Sequence, residues 1–253
     1  MSRPSLLLSL VLCLHVLGFA GPTYAEEAVA TVLITGANRG IGLAMSEAFK
    51  AGGYDVIGTA RKPDEADDLK KIGARVEQLD VTDAQSVAAL KDRLADVEID
   101  ILVNNAGILG RSGDDLEEAD LAKIALELDV NTLGPLRVTK ALLPNVLASE
   151  RKMVVNISSM MGSQTLNTWG CCIGYRASKA ALNSINTTLA VAYADEKMTF
   201  VVLHPGYVQT DLNEGRGNIS AAASGDGLFK VIESLGPDDN GKFYDYQGEA
   251  MPW

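Results

Sequence analysis

Thr31-Val-Leu-Ile-Thr-Gly-Ala-Asn-Arg-Gly-Ile-Gly42 is the stretch of sequence that decides the fold. Its first five residues predict a buried strand, and the run that follows, to about Ala51, predicts a helix. Three glycines, Gly36, Gly40 and Gly42, lie at the turn between them. Glycines there let the backbone approach a pyrophosphate, whose charge the helix N-terminus favours. An ordinary tight turn can carry the same glycines, so the stretch favours a dinucleotide site without establishing one.

Short β-rich runs alternate with helical runs along the rest of the chain. Further strands are predicted at 56–59, 75–79, 99–103, 153–157, 199–203 and 242–246, and further helices at 65–71, 84–94, 116–147 (with a break near Gly134-Pro135) and 175–193. Apolar strands with helical crossovers indicate a parallel sheet that is covered on both faces. We therefore predict one α/β domain over 28–253, a doubly wound fold of the Rossmann type with a seven-stranded parallel sheet. The Gly-, Ala-, Ser- and Asn-rich stretch 213–227 is predicted to be a mobile loop.

The composition excludes several classes of function. The chain has 253 residues, 47% of them hydrophobic, which is typical of a globular protein. The formal net charge is -11 and no basic stretch is present, which argues against nucleic-acid binding. The two histidines (His15 and His204) and three cysteines (Cys13, Cys171 and Cys172) offer no spaced set for a metal.

The histidines and the cysteines each allow more than one interpretation. No Gly-x-Ser-x-Gly motif occurs, so His204 is interpreted as a hydrogen-bonded core residue at a strand end, not as the base of a hydrolase triad. The adjacent Cys171 and Cys172 are either a redox-sensitive pair or two small apolar loop residues, and we favour the second interpretation.

The first 25 residues differ from the rest of the chain. Arg3 precedes an apolar run from Leu6 to Ala20, and Ala25 offers a small residue before a cleavage point. This is the pattern of a signal peptide, so we expect export to a periplasmic or secretory compartment. The alternatives are an uncleaved membrane anchor and a cytoplasmic protein with a mis-assigned start codon.

Two arginines bear on the choice of cofactor. Arg39 lies in the glycine turn, and Arg61 follows the second strand, where enzymes that prefer NAD usually carry an acid. Guanidinium groups suit a 2′-phosphate, so NADP(H) is the expected cofactor; two solvated surface arginines are the alternative. Asp80 closes the third strand, where it can accept a hydrogen bond from an adenine amino group. The small-residue turn Asn104–Gly107 after the fourth strand fits a flat ring.

Tyr175 and Lys179 are the candidate catalytic pair, because residues four apart lie on one face of a helix. The reference pKa of a phenol is about 10, and we expect the neighbouring cation to lower it. Most pairs at this spacing are a half-buried tyrosine and a solvated lysine, so the pair alone decides nothing. Ser159 ends the fifth strand, where serines are usually turn residues, and Asn131 lies in a predicted helix, where asparagine is unfavourable.

In sequence order, these motifs resemble those of the classical short-chain dehydrogenase/reductase family. They are Thr35–Gly42, Asn104–Gly107, Asn131, Ile157–Ser159, Tyr175–Lys179 and Pro205–Gly206, and the resemblance covers residues 28–253. The run from Tyr175 to Asn183 and the closing segment from Phe243 to Trp253 resemble the C-factor-like, carbonyl reductase branch of that family.

The resemblance implies NADPH-dependent reduction of a small-molecule aldehyde or ketone to an alcohol, with no metal. It implies that Tyr175 is the general acid and that Lys179 holds the nicotinamide ribose and lowers the pKa of Tyr175. It also implies that Ser159 orients the carbonyl and that Asn131 holds a water behind Lys179. The residues expected around the cofactor are those of the strand ends and their turns: Gly36, Asn38, Arg39, Gly40, Ile41, Gly42, Arg61, Asp80, Val81, Asn105, Ala106, Gly107, Tyr175, Lys179, Pro205, Gly206, Val208 and Thr210.

Two features depart from the family pattern. The segment from Ser159 to Tyr175 is longer than usual and contains Ser163, a rival for the serine role; we prefer Ser159 because it directly follows the strand. Trp169 and the two cysteines in this segment are expected to shape the substrate pocket. The leader is the second departure, because an exported NADPH-dependent enzyme lacks an obvious supply of hydride.

Two other functions and one assembly are compatible with parts of this pattern. A non-catalytic dinucleotide-binding signalling protein on the same fold is the main alternative to a reductase. A sugar-nucleotide epimerase is disfavoured because no substrate domain follows residue 200. The family resemblance also suggests a homodimer formed by the two long helices, here about 116–147 and 175–193.

Overall fold

The structure is a computed structural model that describes residues 29–253, so the predicted signal peptide at 1–25 lies outside the described residues. The strands are β1 (Thr31–Ile34), β2 (Asp55–Ala60), β3 (Arg75–Gln78), β4 (Ile101–Asn104), β5 (Met153–Ile157), β6 (Thr199–His204) and β7 (Phe243–Asp245). The helices are α1 (Gly40–Ala51), α2 (Asp67–Lys71), α3 (Ala84–Arg93), α4 (Leu121–Leu128), α5 (Gly134–Ala148), α6 (Ile173–Ala192) and α7 (Ala221–Ser234).

The seven strands form one sheet in the order β3-β2-β1-β4-β5-β6-β7, and every neighbouring pair is parallel. The central strand β1 pairs on both sides, with Val32 opposite Val56 of β2 and Ile101 of β4. The strand order reverses between β1 and β4, which is where open α/β sheets bind ligands beyond the carboxyl ends of the strands. The predicted doubly wound fold with a seven-stranded parallel sheet is confirmed.

The sheet is buried on both faces, as its apolar strands require. Alternate residues of β1 enter different cores: Val32 and Ile34 pack with Phe49 of α1, whereas Leu33 packs with Leu142 of α5. The first core lies under α1, α2 and α7, and the second lies under α3, α5 and α6. Burial of the strands between these two layers fixes the carboxyl edge of the sheet, where the candidate site lies.

The prediction of a mobile loop over 213–227 is wrong from Ala221 onward, where α7 begins. Ser220 caps this helix by accepting a hydrogen bond from the backbone N–H of Ala223. The small residues serve close packing, because a Cβ added at Gly225 would lie 2.6 Å from the backbone of Ala44 in α1. Composition alone did not separate a tightly packed helix from a flexible segment.

The helical stretch predicted at 116–147, with a break near Gly134-Pro135, is two helices. Helix α4 begins at Leu121, after Asp120 accepts hydrogen bonds from the backbone N–H groups of the first turn. A π-helical turn, Asp129–Leu133, then joins α4 to α5. The irregularity therefore precedes the Gly134-Pro135 pair, which forms the first turn of α5. Such π-turns are frequent at functional sites, and this one carries Asn131.

Within residues 29–253, the helices all lack the combination of length and apolar character that crossing a lipid bilayer requires.

Candidate active site

The glycine turn after β1 forms a cradle of bare backbone. Gly36 and Gly40 have φ angles of +63° and +57°, a conformation that favours glycine. A Cβ added at Gly36 would lie 3.0 Å from the Cα of Ala106, and one added at Gly42 would overlap the carbonyl oxygen of Gly36. Backbone this closely packed, at the N-terminus of α1, fits the pyrophosphate of a dinucleotide.

The ends of β1 and β4 are tied together at this cradle. The side-chain amide of Asn105 donates to the carbonyl oxygens of Thr35 (2.9 Å) and Gly36 (3.1 Å). In return, the Thr35 hydroxyl oxygen accepts from the backbone N–H groups of Asn105 and Ala106. Asn105 therefore uses its side chain to hold the glycine turn. Thr35 is a supporting residue that the sequence analysis did not single out, although it lies within the predicted motif.

The other predicted cofactor residues lie along the same carboxyl edge. Thr210 lies beside the glycine turn, with its methyl group 3.5 Å from a Cβ added at Gly40, and Gly206 has a φ of +86°. Val81 is buried against Gly134 at the start of α5. The remaining positions follow from the chain path: Asn38, Arg39 and Ile41 at the α1 turn, Gly107 after β4, and Pro205 and Val208 after β6.

Charged groups flank the end of β2. Arg61 is exposed directly after β2, and its charge helps to lower the pKa of Asp80. The larger cause of that lowered pKa is the pair of hydrogen bonds that Asp80 accepts from the hydroxyl and backbone N–H of Thr82. Arg39 is also exposed, with its Nε 4.0 Å from a carboxylate oxygen of Asp211. Both guanidinium groups are therefore exposed to solvent at the carboxyl edge of the sheet, where they can contact a bound cofactor.

Tyr175, Ser159 and Lys179 meet at the carboxyl ends of β4 and β5. Tyr175 and Lys179 lie on α6, and the ammonium nitrogen of Lys179 is 5.8 Å from the centre of the Tyr175 ring. Lys179 is 4% exposed and donates a 2.9 Å hydrogen bond to the carbonyl oxygen of Ile157. Ser159 faces Tyr175, and its hydroxyl lowers the pKa of the phenol.

The expectation that the pKa of Tyr175 lies below its ordinary value is wrong for this arrangement, because burial outweighs the effect of the neighbouring Lys179. Burial raises the pKa of Tyr175 to about 12, and the charges of Glu127 and Cys172 add to the rise that Ser159 opposes. Burial also lowers the pKa of Lys179 to about 8. The physical reason is that both groups leave water, while the ammonium is directed to the Ile157 carbonyl. Tyr175 therefore remains protonated at neutral pH.

Asn131 is fully buried in the π-helical turn and joins three elements. Its side-chain amide donates to the carbonyl oxygen of Ile108 and to the Ser178 hydroxyl, and its Oδ1 accepts from the Ile108 N–H. A Cβ added at Gly107 would lie 3.2 Å from this oxygen and 3.6 Å from the nitrogen of Lys179. Asn131 is therefore not an exposed polar residue of a helix, and the structure brings it to the candidate catalytic pair.

The segment between β5 and α6 separates the two candidate serines. Ser159 accepts a hydrogen bond from the N–H of Met161, which leaves its own hydroxyl hydrogen free to donate towards Tyr175. Ser163 is completely buried, and its oxygen accepts from the N–H of Leu166. The structure therefore places Ser159 beside the phenol and Ser163 in a turn.

The cysteines of the same segment are half-buried. The Trp169 indole donates to the Cys171 sulfur, and the Cys172 N–H donates to Asp114. The ligand atoms of Cys171, Cys172 and Asp114 lie within 4.8 Å of one another, a proximity that the sequence analysis missed because Asp114 follows a different strand. Burial, with Cys171 and Asp114, raises the pKa of the Cys172 thiol to about 12.

The sequence analysis also missed a buried amide network behind the site. Asn104 donates to Asn156, Asn156 donates to Asn186, and Asn186 donates to the carbonyl oxygen of Phe200. These contacts couple β4, β5, α6 and β6. His204 was predicted to be a hydrogen-bonded core residue, but its Nδ1 is buried without a partner, and burial lowers its pKa to about 4.

A glycine cradle at the switch point, with a half-buried tyrosine and a buried lysine on one helix beside it, defines a dinucleotide-dependent oxidoreductase. Residues 30–219 match the family model described as short chain dehydrogenase. The chain therefore belongs to the short-chain dehydrogenase/reductase family and is an NAD(P)-dependent oxidoreductase of it.

Individual relatives agree with this assignment. The chain is 41% identical over 155 residues to the protein named C-signal of Myxococcus xanthus, across 61% of this chain and 93% of that protein. The NADPH-bound carbonyl reductase from chicken fatty liver superposes with a TM-score of 0.81 at 31% identity, over 89% of this chain and 99% of the other. The carbonyl reductase Sniffer of D. melanogaster gives a TM-score of 0.83 at 28% identity, over 89% and 100%. The resemblance to members of the carbonyl reductase type is confirmed.

Proposed function

We propose that the protein is an NADPH-dependent carbonyl reductase that converts an aldehyde or ketone to an alcohol, with Tyr175 as the general acid. The observation that carries this proposal is a phenol beside the Ser159 hydroxyl, with the Lys179 nitrogen 5.8 Å from its ring centre, on the same carboxyl edge of the sheet as the glycine cradle. When bound, the nicotinamide cofactor supplies the hydride.

Ser159, Tyr175 and Lys179 position the substrate and transfer the proton. Ser159 donates a hydrogen bond to the substrate carbonyl oxygen and so fixes its position beside Tyr175. As negative charge develops on that oxygen, Tyr175 transfers its proton to it and becomes a phenolate. The ammonium of Lys179 is the nearby positive charge that favours the phenolate. The product is the neutral alcohol.

Asn131 supports this arrangement from behind. Its hydrogen bonds to Ile108 and Ser178 hold the loop after β4 against α6, next to Lys179. The water-holding role implied by the family resemblance stays a prediction. The contacts of Asn131 support a role in positioning Lys179.

The preference for NADPH over NADH is part of the proposal. Arg61 occupies the end of β2, where an acid would bind a ribose hydroxyl, and Arg39 lies in the glycine turn. Two exposed guanidinium groups at this rim suit a 2′-phosphate. The solved chicken carbonyl reductase with bound NADPH supports the same choice.

A dinucleotide-binding signalling protein is the second candidate, because of the identity to the protein named C-signal. The candidates are distinguished by mixing the purified protein with NADPH and a panel of aldehydes and ketones. Loss of NADPH absorbance with any of them supports the reductase. Tight NADPH binding in calorimetry without turnover across the panel favours the signalling protein.

We also propose that residues 1–25 direct export, on the strength of the sequence pattern alone. N-terminal sequencing of the native protein tests this: a mature chain beginning just after Ala25 supports it, whereas a chain that keeps Met1 contradicts cleavage. The membrane-anchored alternative predicts the uncleaved chain, whereas a mis-assigned start codon predicts a native chain that begins at neither of these positions.

A homodimer is the proposed assembly. Four apolar side chains on α4, the π-helical turn and α6 are exposed: Leu121 (76%), Leu126 (50%), Leu133 (44%) and Val191 (76%). Exposed apolar side chains on neighbouring helices suit an interface between copies. Light scattering coupled to gel filtration tests the proposal, and a monomeric mass at micromolar concentration would contradict it.

A further inference from the structure

Glu127 is a buried acidic residue that the proposed reaction leaves without a role. It lies in the last turn of α4 and is 0% exposed. Glu77, the other buried acid, is paired with Arg75 and Arg93, whereas no cation pairs with Glu127 among residues 29–253. Burial of an unpaired carboxylate is costly, so its presence requires a physical explanation.

The contacts of Glu127 join the loop after β4 to the first turn of α6. Its Oε1 accepts a 2.7 Å hydrogen bond from the N–H of Gly110. Its Oε2 is buried without a hydrogen-bond partner and lies against Gly174, where an added Cβ would overlap it. On the other side, a Cβ added at Gly110 would lie 3.0 Å from the Cγ of Glu127. The side chain therefore fills the space between two glycines on different elements.

The N-terminus of α6 explains why a carboxylate is tolerated there. Cys172, at the N-cap position, provides no side-chain hydrogen bond to the helix. Instead, the Ser112 hydroxyl oxygen accepts from the Gly174 N–H at 3.1 Å, so the loop after β4 caps the helix. The positive end of this 20-residue helix favours the negative charge of Glu127 beside it.

The same contact brings Glu127 to the catalytic tyrosine, because Gly174 directly precedes Tyr175. After burial, the charge of Glu127 is the larger of the two that raise the pKa of Tyr175, and Cys172 is the other. Of the remaining charged groups near α6, Lys179 is directed to Ile157, and Arg176 donates to the carbonyl oxygens of Cys171 and Trp169. Asp114 accepts from the N–H of Cys172. Asp129 of the π-helical turn is held by Arg137.

We propose that Glu127 is a positioning residue for Tyr175: it braces the loop after β4 against the first turn of α6 and places an unpaired negative charge beside the phenol. The brace sets where the tyrosine lies relative to the substrate, and the charge adds to the burial that keeps the phenol protonated. The catalytic meaning of this role rests on the proposed function, because it matters only if Tyr175 is the general acid.

The test measures the tyrosine directly and does not need turnover. Protein labelled with ¹³C at the tyrosine Cζ is titrated by NMR, and the Tyr175 signal is identified by its loss in Tyr175→Phe. The key variant is Glu127→Gln, whose amide oxygen still accepts from Gly110 but carries no charge. The matched control is Glu117→Gln, which removes an equal charge from an exposed position of the preceding segment.

In Glu127→Gln, the Tyr175 signal is expected to titrate at a pH lower by roughly one unit than in the unsubstituted protein. Glu117→Gln is expected to leave it unchanged. If the amide variant misfolds, Glu127→Met gives the same comparison with an apolar side chain of similar length. A Tyr175 titration that does not move when Glu127 loses its charge would overturn the inference. Because no substrate is involved, that result is distinguishable from a failure of the reductase proposal.

Discussion

The ammonium nitrogen of Lys179 lies 5.8 Å from the centre of the Tyr175 ring and donates its hydrogen bond to Ile157, not to the phenol. The two groups titrate far apart, because burial lowers the pKa of Lys179 to about 8 and raises that of Tyr175 to about 12. Tyr175 therefore keeps its proton over the usual assay range. Lys179 is the group of the pair whose charge changes within that range.

The pH dependence of reduction should follow from this separation. Below about pH 8 Lys179 is charged, and as the pH rises through that value its charge is lost, so kcat/KM is expected to fall with an inflection near 8. The measurement is kcat/KM from about pH 6 to about pH 10. In Lys179→Arg, which keeps its charge, the inflection should disappear even if the rate is lower. A flat profile for the unsubstituted enzyme up to about pH 10 would show that the Lys179 charge is not required.

Asn131 and Asn145 form a matched pair for separating catalytic from structural effects. Both are buried asparagines whose side chains donate two hydrogen bonds, to Ile108 and Ser178 in one case and to Leu94 and Val97 in the other. Replacement of either by alanine should lower the free energy of unfolding by about 1–3 kcal/mol. Only Asn131→Ala should also lower kcat/KM, since Asn145 lies away from Lys179. Equal kcat/KM values for the two variants, measured at a temperature where both are folded, would contradict a role for Asn131 at the site.

Much of the fold could be predicted from sequence because its cause is local. Strands β1 to β7 are short apolar or alternating runs separated by helical patterns, and each was predicted within two residues of its observed ends. Helix α7 was missed because its Ala-, Ser- and Gly-rich start resembles a loop. Its stability comes from close packing against α1, such as that of Gly225 against Ala44, which depends on a distant segment.

The same distinction between local and long-range causes applies to the residues of the candidate site. The glycine turn, Ser159 and the Tyr175–Lys179 pair could be found from sequence, since each is set by short spacing at a strand end or on one helix. The pKa of Tyr175 could not be predicted from sequence, because it depends on burial and on Glu127. Glu127 is 48 positions away in the chain and belongs to another helix. The Asn104–Asn156–Asn186 network was not predicted for the same reason, because its hydrogen bonds join three different elements.

The two candidate serines allow a paired substitution. Ser159 faces Tyr175, whereas Ser163 accepts only a turn hydrogen bond from Leu166. Ser159→Ala should lower kcat by about 10²-fold or more, because the donor that meets the developing oxyanion is removed. Ser163→Ala should keep kcat within a few-fold and lower the melting temperature instead. Steady-state kinetics on both variants decides the assignment, which would be reversed if Ser163→Ala were the inactive one.

Cofactor choice should depend on Arg61. Arg61→Asp exchanges a 2′-phosphate partner for a group that repels phosphate and suits a ribose hydroxyl. The ratio of kcat/KM for NADPH to that for NADH is expected to fall by about tenfold or more. Lys62→Asp is the control, because it makes the same change of charge one residue further on and should leave the ratio nearly unchanged. An equal fall in both variants would indicate a general effect of surface charge.

The central claim is that Tyr175 gives its proton to a substrate carbonyl. The most direct test is the rate of NADPH oxidation with an accepted aldehyde or ketone, compared between the unsubstituted protein and Tyr175→Phe. Removal of one hydroxyl should leave NADPH affinity, measured by calorimetry, within a few-fold and lower kcat by about 10²–10⁴-fold. A Tyr175→Phe variant that binds NADPH and reduces the same carbonyl at the unsubstituted rate would contradict the proposed mechanism.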